Sequence, residues 1–215
     1  MRLMHPESVT SPAMPQINVP AHTKAVHPLY FFLLRLSRRI GNLLFRPKVI
    51  DLQRFPAHGP VLLLPNHISY GDAALIQTAC PRHVRFVVYE PFYRHWALGW
   101  IMRMMRTIPI MPGKSSDVGV KACVEGLEAG HVVCLFPEGG ISRVGKLTPL
   151  KHGFERIAAA SGCPVQPVRI DGLRRSGFAV KRGEVTVRFG EMIPAERAKI
   201  DVVTAALQPS PSPNS

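Results

Sequence analysis

The chain is short of acid, of paired cysteine and of long apolar runs, and each shortage narrows what it can be. Its four cysteines, Cys80, Cys123, Cys134 and Cys163, are scattered and none forms a C-x-x-C pair. That spacing argues against a zinc site or a small disulfide scaffold and fits a reducing compartment. No apolar run reaches the roughly eighteen residues of a membrane-crossing helix, and the N-terminus lacks the basic start, apolar centre and small-residue cleavage site of a secretory signal. No internal repeat occurs. No G-x-S-x-G elbow occurs either, which removes support for a serine nucleophile of the α/β-hydrolase kind. Acidic residues number 14 against 27 Lys and Arg, a formal charge of +13. Such a chain attracts anions, whether nucleic acid, anionic lipid or a phosphate-bearing substrate.

What is present is enough for one domain with ragged ends: 215 residues, 46% of them hydrophobic, can bury a core without disulfides or structural metals. Residues 1–26, rich in Pro, His, Ser and Thr, read as a flexible leader, and 208–215, with three prolines among serines, as a disordered tail. Residues 27–47 read as a basic amphipathic helix. At about 100° per residue, Arg35, Arg38, Arg39, Asn42 and Arg46 share one face and Leu29, Leu33, Leu36, Ile40 and Leu44 the opposite one. Such a helix can lie in a bilayer interface, its cations on anionic headgroups; it can equally pack its leucines on the protein's own core. From 48 to 207 apolar runs alternate with helical periods. Strands are expected at 49–52, 61–64, 84–88, 132–136, 165–170 and 184–189, and helices at 72–80, 97–105, 115–128 and 152–160. Gly130 suits the C-cap of the third of these helices. Alternation of this kind predicts an α/β fold: a largely parallel central sheet flanked by helices, with chemistry gathered beyond the carboxyl ends of the strands.

Two constellations fall at such ends. The first is Asn66-His67-Ile68-Ser69-Tyr70-Gly71-Asp72, after the run 61–64. A His and an Asp five apart on a strand–loop–helix junction can face each other. The carboxylate then fixes the ring tautomer and leaves the other nitrogen as a base for an alcohol proton, with Gly71 loosening the loop. Asp72 is equally placed to be a helix N-cap. The second is Phe136-Pro137-Glu138-Gly139-Gly140-Ile141-Ser142-Arg143. Gly139 and Gly140 free the backbone to approach a ligand, and Glu138 offers an acceptor to a hydroxyl or a backbone group. Arg143, Lys146 and Lys151 supply cations for a phosphate. Residues 140–146 also fit G-x-x-x-x-G-K, but Leu147 stands where a phosphate-binding loop needs Ser or Thr, and Pro149 bars the helix that must follow. With neither a serine elbow nor a cysteine in either motif, direct attack by an acceptor hydroxyl fits better than an acyl-enzyme.

Together these motifs resemble the glycerophospholipid acyltransferases, the PlsC-like family. Asn66, His67 and Asp72 match its N-H-x-x-x-x-D motif, Phe136 to Gly139 its F-P-E-G, and Val165-Gln166-Pro167-Val168 is similar to its V-x-P-V, in the family's order. The resemblance implies that His67 deprotonates a glycerol hydroxyl while Asp72 orients it. It implies an acyl-CoA or acyl carrier protein donor, no metal or organic cofactor, and docking on the cytoplasmic leaflet, peripheral or monotopic, through the N-terminal helix with Arg35, Arg38, Arg39 and Arg46. Two departures stand out. Gly140 and Ile141 replace the family's Thr and Arg after F-P-E-G, and the second motif's arginine is replaced by Lys114 after Ile108-Pro109-Ile110. Acceptor binding is therefore expected from Glu138, Gly139, Gly140, Arg143, Lys146 and Lys114, with a lysophospholipid of the lysophosphatidic acid or lysophosphatidylethanolamine type as acceptor. The alternatives are a non-glycerol lyso-lipid acceptor and a non-catalytic lipid-binding module. Nucleic acid is not expected as a partner, because no DNA- or RNA-binding signature accompanies the charge.

Overall fold

The computed structural model describes residues 28–96, 98–111, 116–142, 147–174 and 184–208. The strands are β1 (Lys48–Ile50), β2 (Val61–Pro65), β3 (Val84–Tyr89), β4 (Ile108–Ile110), β5 (Val132–Cys134), β6 (Val165–Asp171) and β7 (Thr186–Phe189). The helices are α1 (Pro28–Phe45), α2 (Asp72–Ala79), α3 (Glu90–Arg94), α4 (Leu98–Met104), α5 (Ser116–Glu128), α6 (Gly153–Ser161) and α7 (Ile200–Leu207). The strands form one seven-stranded sheet in the order β1-β7-β6-β2-β5-β3-β4. Every neighbouring pair is parallel except β6 with β7. The expected α/β architecture is thus present. The two central strands read as uninterrupted apolar runs because both faces of the sheet are covered.

Alternation decides which face each residue serves. Val61 and Leu63 join one core with Val132, Cys134, Val168 and the α2 residues Leu75, Ile76 and Ala79. Leu62 and Leu64 join the other with Val133, Cys123 and Leu127 of α5, Phe154 and Ile157 of α6, and Val203 and Leu207 of α7. Leu62, Leu63 and Leu64 are fully buried, each contributing about 2 kcal/mol of apolar burial as an upper estimate. Gly130 ends α5 at φ 78, its N–H on the Leu127 carbonyl at 2.8 Å, the C-cap its sequence position predicts.

Differences from expectation are local. β5 stops at Cys134 rather than 136, since Phe136 leaves the sheet. The segment 49–52 is a three-residue strand followed by a 3-10 turn, Leu52–Arg54. Short α3 and α7 were not anticipated. In α1, the arc carrying Gly41 meets Thr78 of α2, and Arg38 turns inward so that its Nη1 donates to the Pro81 carbonyl at 3.4 Å. Arg38 therefore leaves the outward basic face, where Arg35, Arg39 and Arg46 remain exposed. Leu36, Ile40, Leu43 and Leu44, 41–64% exposed, are not packed on the core. Among the described residues no helix is long and apolar enough to cross a membrane. The leader 1–26 and most of the tail lie outside the described residues.

Candidate functional site

β2 and β5 are parallel neighbours, with Leu63 beside Cys134, so the segments that follow them emerge side by side at one edge of the sheet. As β2 ends, the Asn66 side chain takes over the work of a backbone. Its Nδ2 donates to the Ile170 carbonyl at 2.9 Å and its Oδ1 accepts from Ile170 N–H at 2.7 Å. The amide thus extends the β2–β6 ladder by one step while the main chain swings away to present His67.

The next five residues close on themselves. Asp72 is fully buried, and its Oδ2 accepts from His67 Nδ1 at 2.8 Å, from Ile68 N–H at 2.8 Å and from Ser69 N–H at 2.9 Å. As the first residue of α2 it makes no side-chain cap; the cap position is Gly71. The N-cap reading is therefore replaced: the carboxylate turns back to gather the loop and the ring. Gly71 sits at φ −84, ψ −7, a conformation open to any residue, so it is not required for flexibility. With the Asp72 carboxylate accepting at Nδ1, the imidazole carries its proton there and Nε2 is left as a base, a tautomer assigned from the hydrogen-bond partner.

The second motif clamps the first. Glu138 Oε1 accepts from the His67 backbone N–H at 2.7 Å, and Ser142 N–H donates to the His67 carbonyl at 2.7 Å. Glu138 Oε2 accepts from both the N–H and the hydroxyl of Thr148. With both oxygens engaged and the residue buried, Glu138 clasps the loops together. It thus accepts from a hydroxyl and from backbone groups, as its motif position suggests, and those donors are the protein's own. Phe136 lies flat against the His67 ring, centroids 4.0 Å apart and planes 24° apart, and so holds its plane. Asn66, Phe136 and Thr148 were not among the expected site residues; the motif spelling contained the first two, but their partners are distant in sequence.

Gly139 requires its identity. It lies at φ +70, a backbone conformation that L side chains rarely adopt, so any substitution there is strained. Its N–H donates to the Phe136 carbonyl at 3.1 Å, which leaves Gly140, exposed and with open space beside it, as the freer backbone donor. Lys151 is held by its own N–H on the Pro137 carbonyl at 2.9 Å, and it sets a cation over this turn. Arg143, Lys146 and Lys114 lie outside the described residues. The four cysteines are buried. Burial pushes the thiols of Cys80 and Cys123 up to about 12 and raises those of Cys134 and Cys163, so none is a poised nucleophile. Among the described residues no three His, Cys, Asp or Glu side chains converge as metal ligands.

The family model described as Acyltransferase matches residues 46–171. A chloroplastic 1-acyl-sn-glycerol-3-phosphate acyltransferase of Brassica napus is 30% identical over 131 residues, which is 60% of this chain and 38% of that protein. A lyso-ornithine lipid O-acyltransferase of Pseudomonas aeruginosa is 26% identical over 161 residues, 71% of this chain and 60% of that one. The chain thus spans between about two-fifths and three-fifths of the length of these curated relatives. The crystal structure of the 1-acyl-sn-glycerophosphate acyltransferase PlsC from Thermotoga maritima superposes with a TM-score of 0.67 at 20% identity, covering 86% of this chain and 79% of that one. At that identity the likeness speaks for the fold alone.

Proposed function

Because the chain belongs to the acyltransferase family, we propose that it transfers a fatty acyl group from a thioester to the free hydroxyl of a lysophospholipid of the lysophosphatidic acid type. The observation that carries this reading is the His67–Asp72 pair at 2.8 Å, with the ring backed by Phe136 and only its outer part open to solvent, 20% of the side chain. The acceptor hydroxyl gives its proton to His67 Nε2 as its oxygen bonds to the thioester carbonyl carbon. The tetrahedral oxyanion forms beside the Gly140 backbone. Collapse breaks the carbon–sulfur bond, and the departing thiolate takes the proton back from the imidazolium, whose charge Asp72 offsets throughout. General-base assistance of this kind is worth about 10² to 10⁴ in rate.

Lys151, together with Arg143, Lys146 and Lys114, holds the acceptor phosphate. Three of these four are lysines where a bidentate fork is the commoner choice, which favours charge over strict geometry in head-group recognition. The donor is acyl-CoA or acyl carrier protein. A non-glycerol acceptor is the second reading, favoured by the similarity to the lyso-ornithine enzyme. Membrane docking belongs to the same proposal. The exposed arc Leu36, Ile40, Leu43 and Leu44 runs beside exposed Arg35, Arg39 and Arg46, the profile of a helix lying in the headgroup layer of an anionic cytoplasmic leaflet. The test is product mass spectrometry on the purified chain given mixed lysolipids, once with acyl-CoA and once with acylated carrier protein. A single new diacyl species names acceptor and donor together; no acylated product from any pair would defeat the proposal.

A further inference from the structure

The chain holds two tryptophans, and both stand on the α3–α4 hairpin facing solvent, Trp96 89% and Trp100 56% exposed. Tyr89, Phe92, Leu98 and Ile101 are exposed with them. A cluster of large apolar side chains on one short hairpin is far more than scattered surface hydrophobics and marks an interaction surface. The hairpin is also locked. Gly99 packs so closely on the Tyr93 carbonyl that a Cβ would collide with it. Gly99 N–H donates to the His95 carbonyl at 2.7 Å, and the Arg103 guanidinium lies over the Tyr93 ring at 5.3 Å. The aromatics are therefore held outward by a built turn.

Chemistry and position select the occupant. Arg94 and Arg103 flank the cluster, while Glu90, the acid of α3, pairs with Arg94 at 3.5 Å. An apolar face rimmed by cations and carrying tryptophan suits the interface of an anionic bilayer, with indoles at headgroup depth and guanidinium groups on phosphates. The hairpin also leaves the sheet at the right edge. β3 and β5 are parallel neighbours with Phe86 beside Cys134, so α3, which follows β3, leaves the same edge of the sheet as the loop after β5 that clamps His67.

We propose that the α3–α4 hairpin is a second bilayer contact, separate from α1, which sets Trp96 and Trp100 into an anionic leaflet and turns the His67 edge of the sheet toward the lipid. It rests on the reading that the acceptor is a membrane lipid. Because the chain has no other tryptophan, its emission reports on this surface alone. The full-length protein is mixed with vesicles of phosphatidylcholine and phosphatidylglycerol, with and without bromine-labelled acyl chains. Emission shifts to the blue and is quenched by the brominated lipid. The double variant Trp96→Ser, Trp100→Ser floats with these vesicles at least about tenfold more weakly while turning over water-soluble short-chain substrates at the wild-type rate. Unshifted emission on vesicles that do float the protein overturns the proposal, as does a blue shift that grows with protein concentration in the absence of lipid, which would make the occupant a second copy. The short-chain assay reports on acyl transfer and the emission on the surface, so the two readings fail separately.

Discussion

Replacing Asp72 with Asn separates the two jobs its carboxylate holds. Oδ2 takes three hydrogen bonds, from His67 Nδ1 and from the Ile68 and Ser69 N–H groups, while Oδ1 is buried with no partner among the described residues. An asparagine can put its carbonyl oxygen in the first position and its amide in the second, so the loop keeps its bonds. What it cannot supply is charge to balance the imidazolium that forms as the acceptor loses its proton. Two unit charges about 4 Å apart at an effective dielectric near 20 attract by about 4 kcal/mol, and each 1.36 kcal/mol is a factor of about ten. Allowing for partial transfer at the transition state, kcat falls about 10²- to 10³-fold. The KM for the thioester stays within about threefold, since the donor does not touch this carboxylate. Thiol release at saturating lysophospholipid gives kcat, and thermal melting gives stability. Asp72→Ala, by contrast, strands the buried Ser69 N–H at about 1–3 kcal/mol and the half-buried Ile68 N–H beside it, and should melt clearly lower. An Asn variant within tenfold of wild-type kcat would refute the orienting role and leave Asp72 as a loop tie alone.

Three further outcomes follow from other groups. Glu138→Gln can accept at one end only, so either His67 N–H or the Thr148 donors lose their partner; the melting temperature drops by the equivalent of about 1–3 kcal/mol and kcat falls about tenfold, while acceptor KM hardly moves. A raised KM with unchanged melting would instead make Glu138 an acceptor ligand. Treatment of the native protein with N-ethylmaleimide should leave turnover intact, because all four thiols are buried; activity lost in step with one modified cysteine would point to an acyl-enzyme. Burial, then the neighbouring His131, Arg106 and Arg85, push His83 down to about 4. Its folded value lies below the ordinary 6.5, so its stabilisation is complete above 6.5 and declines as pH falls toward 4, on the order of 2 kcal/mol by about pH 5. Urea melts at the two pH values should show this decline, and His83→Gln should flatten it.

Some of this was legible in the sequence for a plain physical reason. The run 61–64 is apolar at every position because both faces of β2 are covered, and the two motifs could be placed at strand ends because parallel strands share an edge. Other parts depend on geometry that spelling does not carry. Asn66 bonds across 104 residues to Ile170. Glu138 could have aimed either oxygen at solvent; which donors it meets is set by the turn at Gly139. The helical wheel of α1 gave two faces, whereas packing on α2 creates a third and spends Arg38 on it. The sequence predicts a helix at 97–105, close to α4, but not α3, and only the folded hairpin shows that the indoles of Trp96 and Trp100 face outward.

The most direct test of the central claim, that His67 takes the acceptor's proton, is turnover by His67→Ala. Measured with lysophosphatidic acid and a labelled acyl thioester, on protein shown to melt as the wild type does, product formation should fall by about 10² to 10⁴. Diacyl product made at the wild-type rate by that folded variant would contradict it.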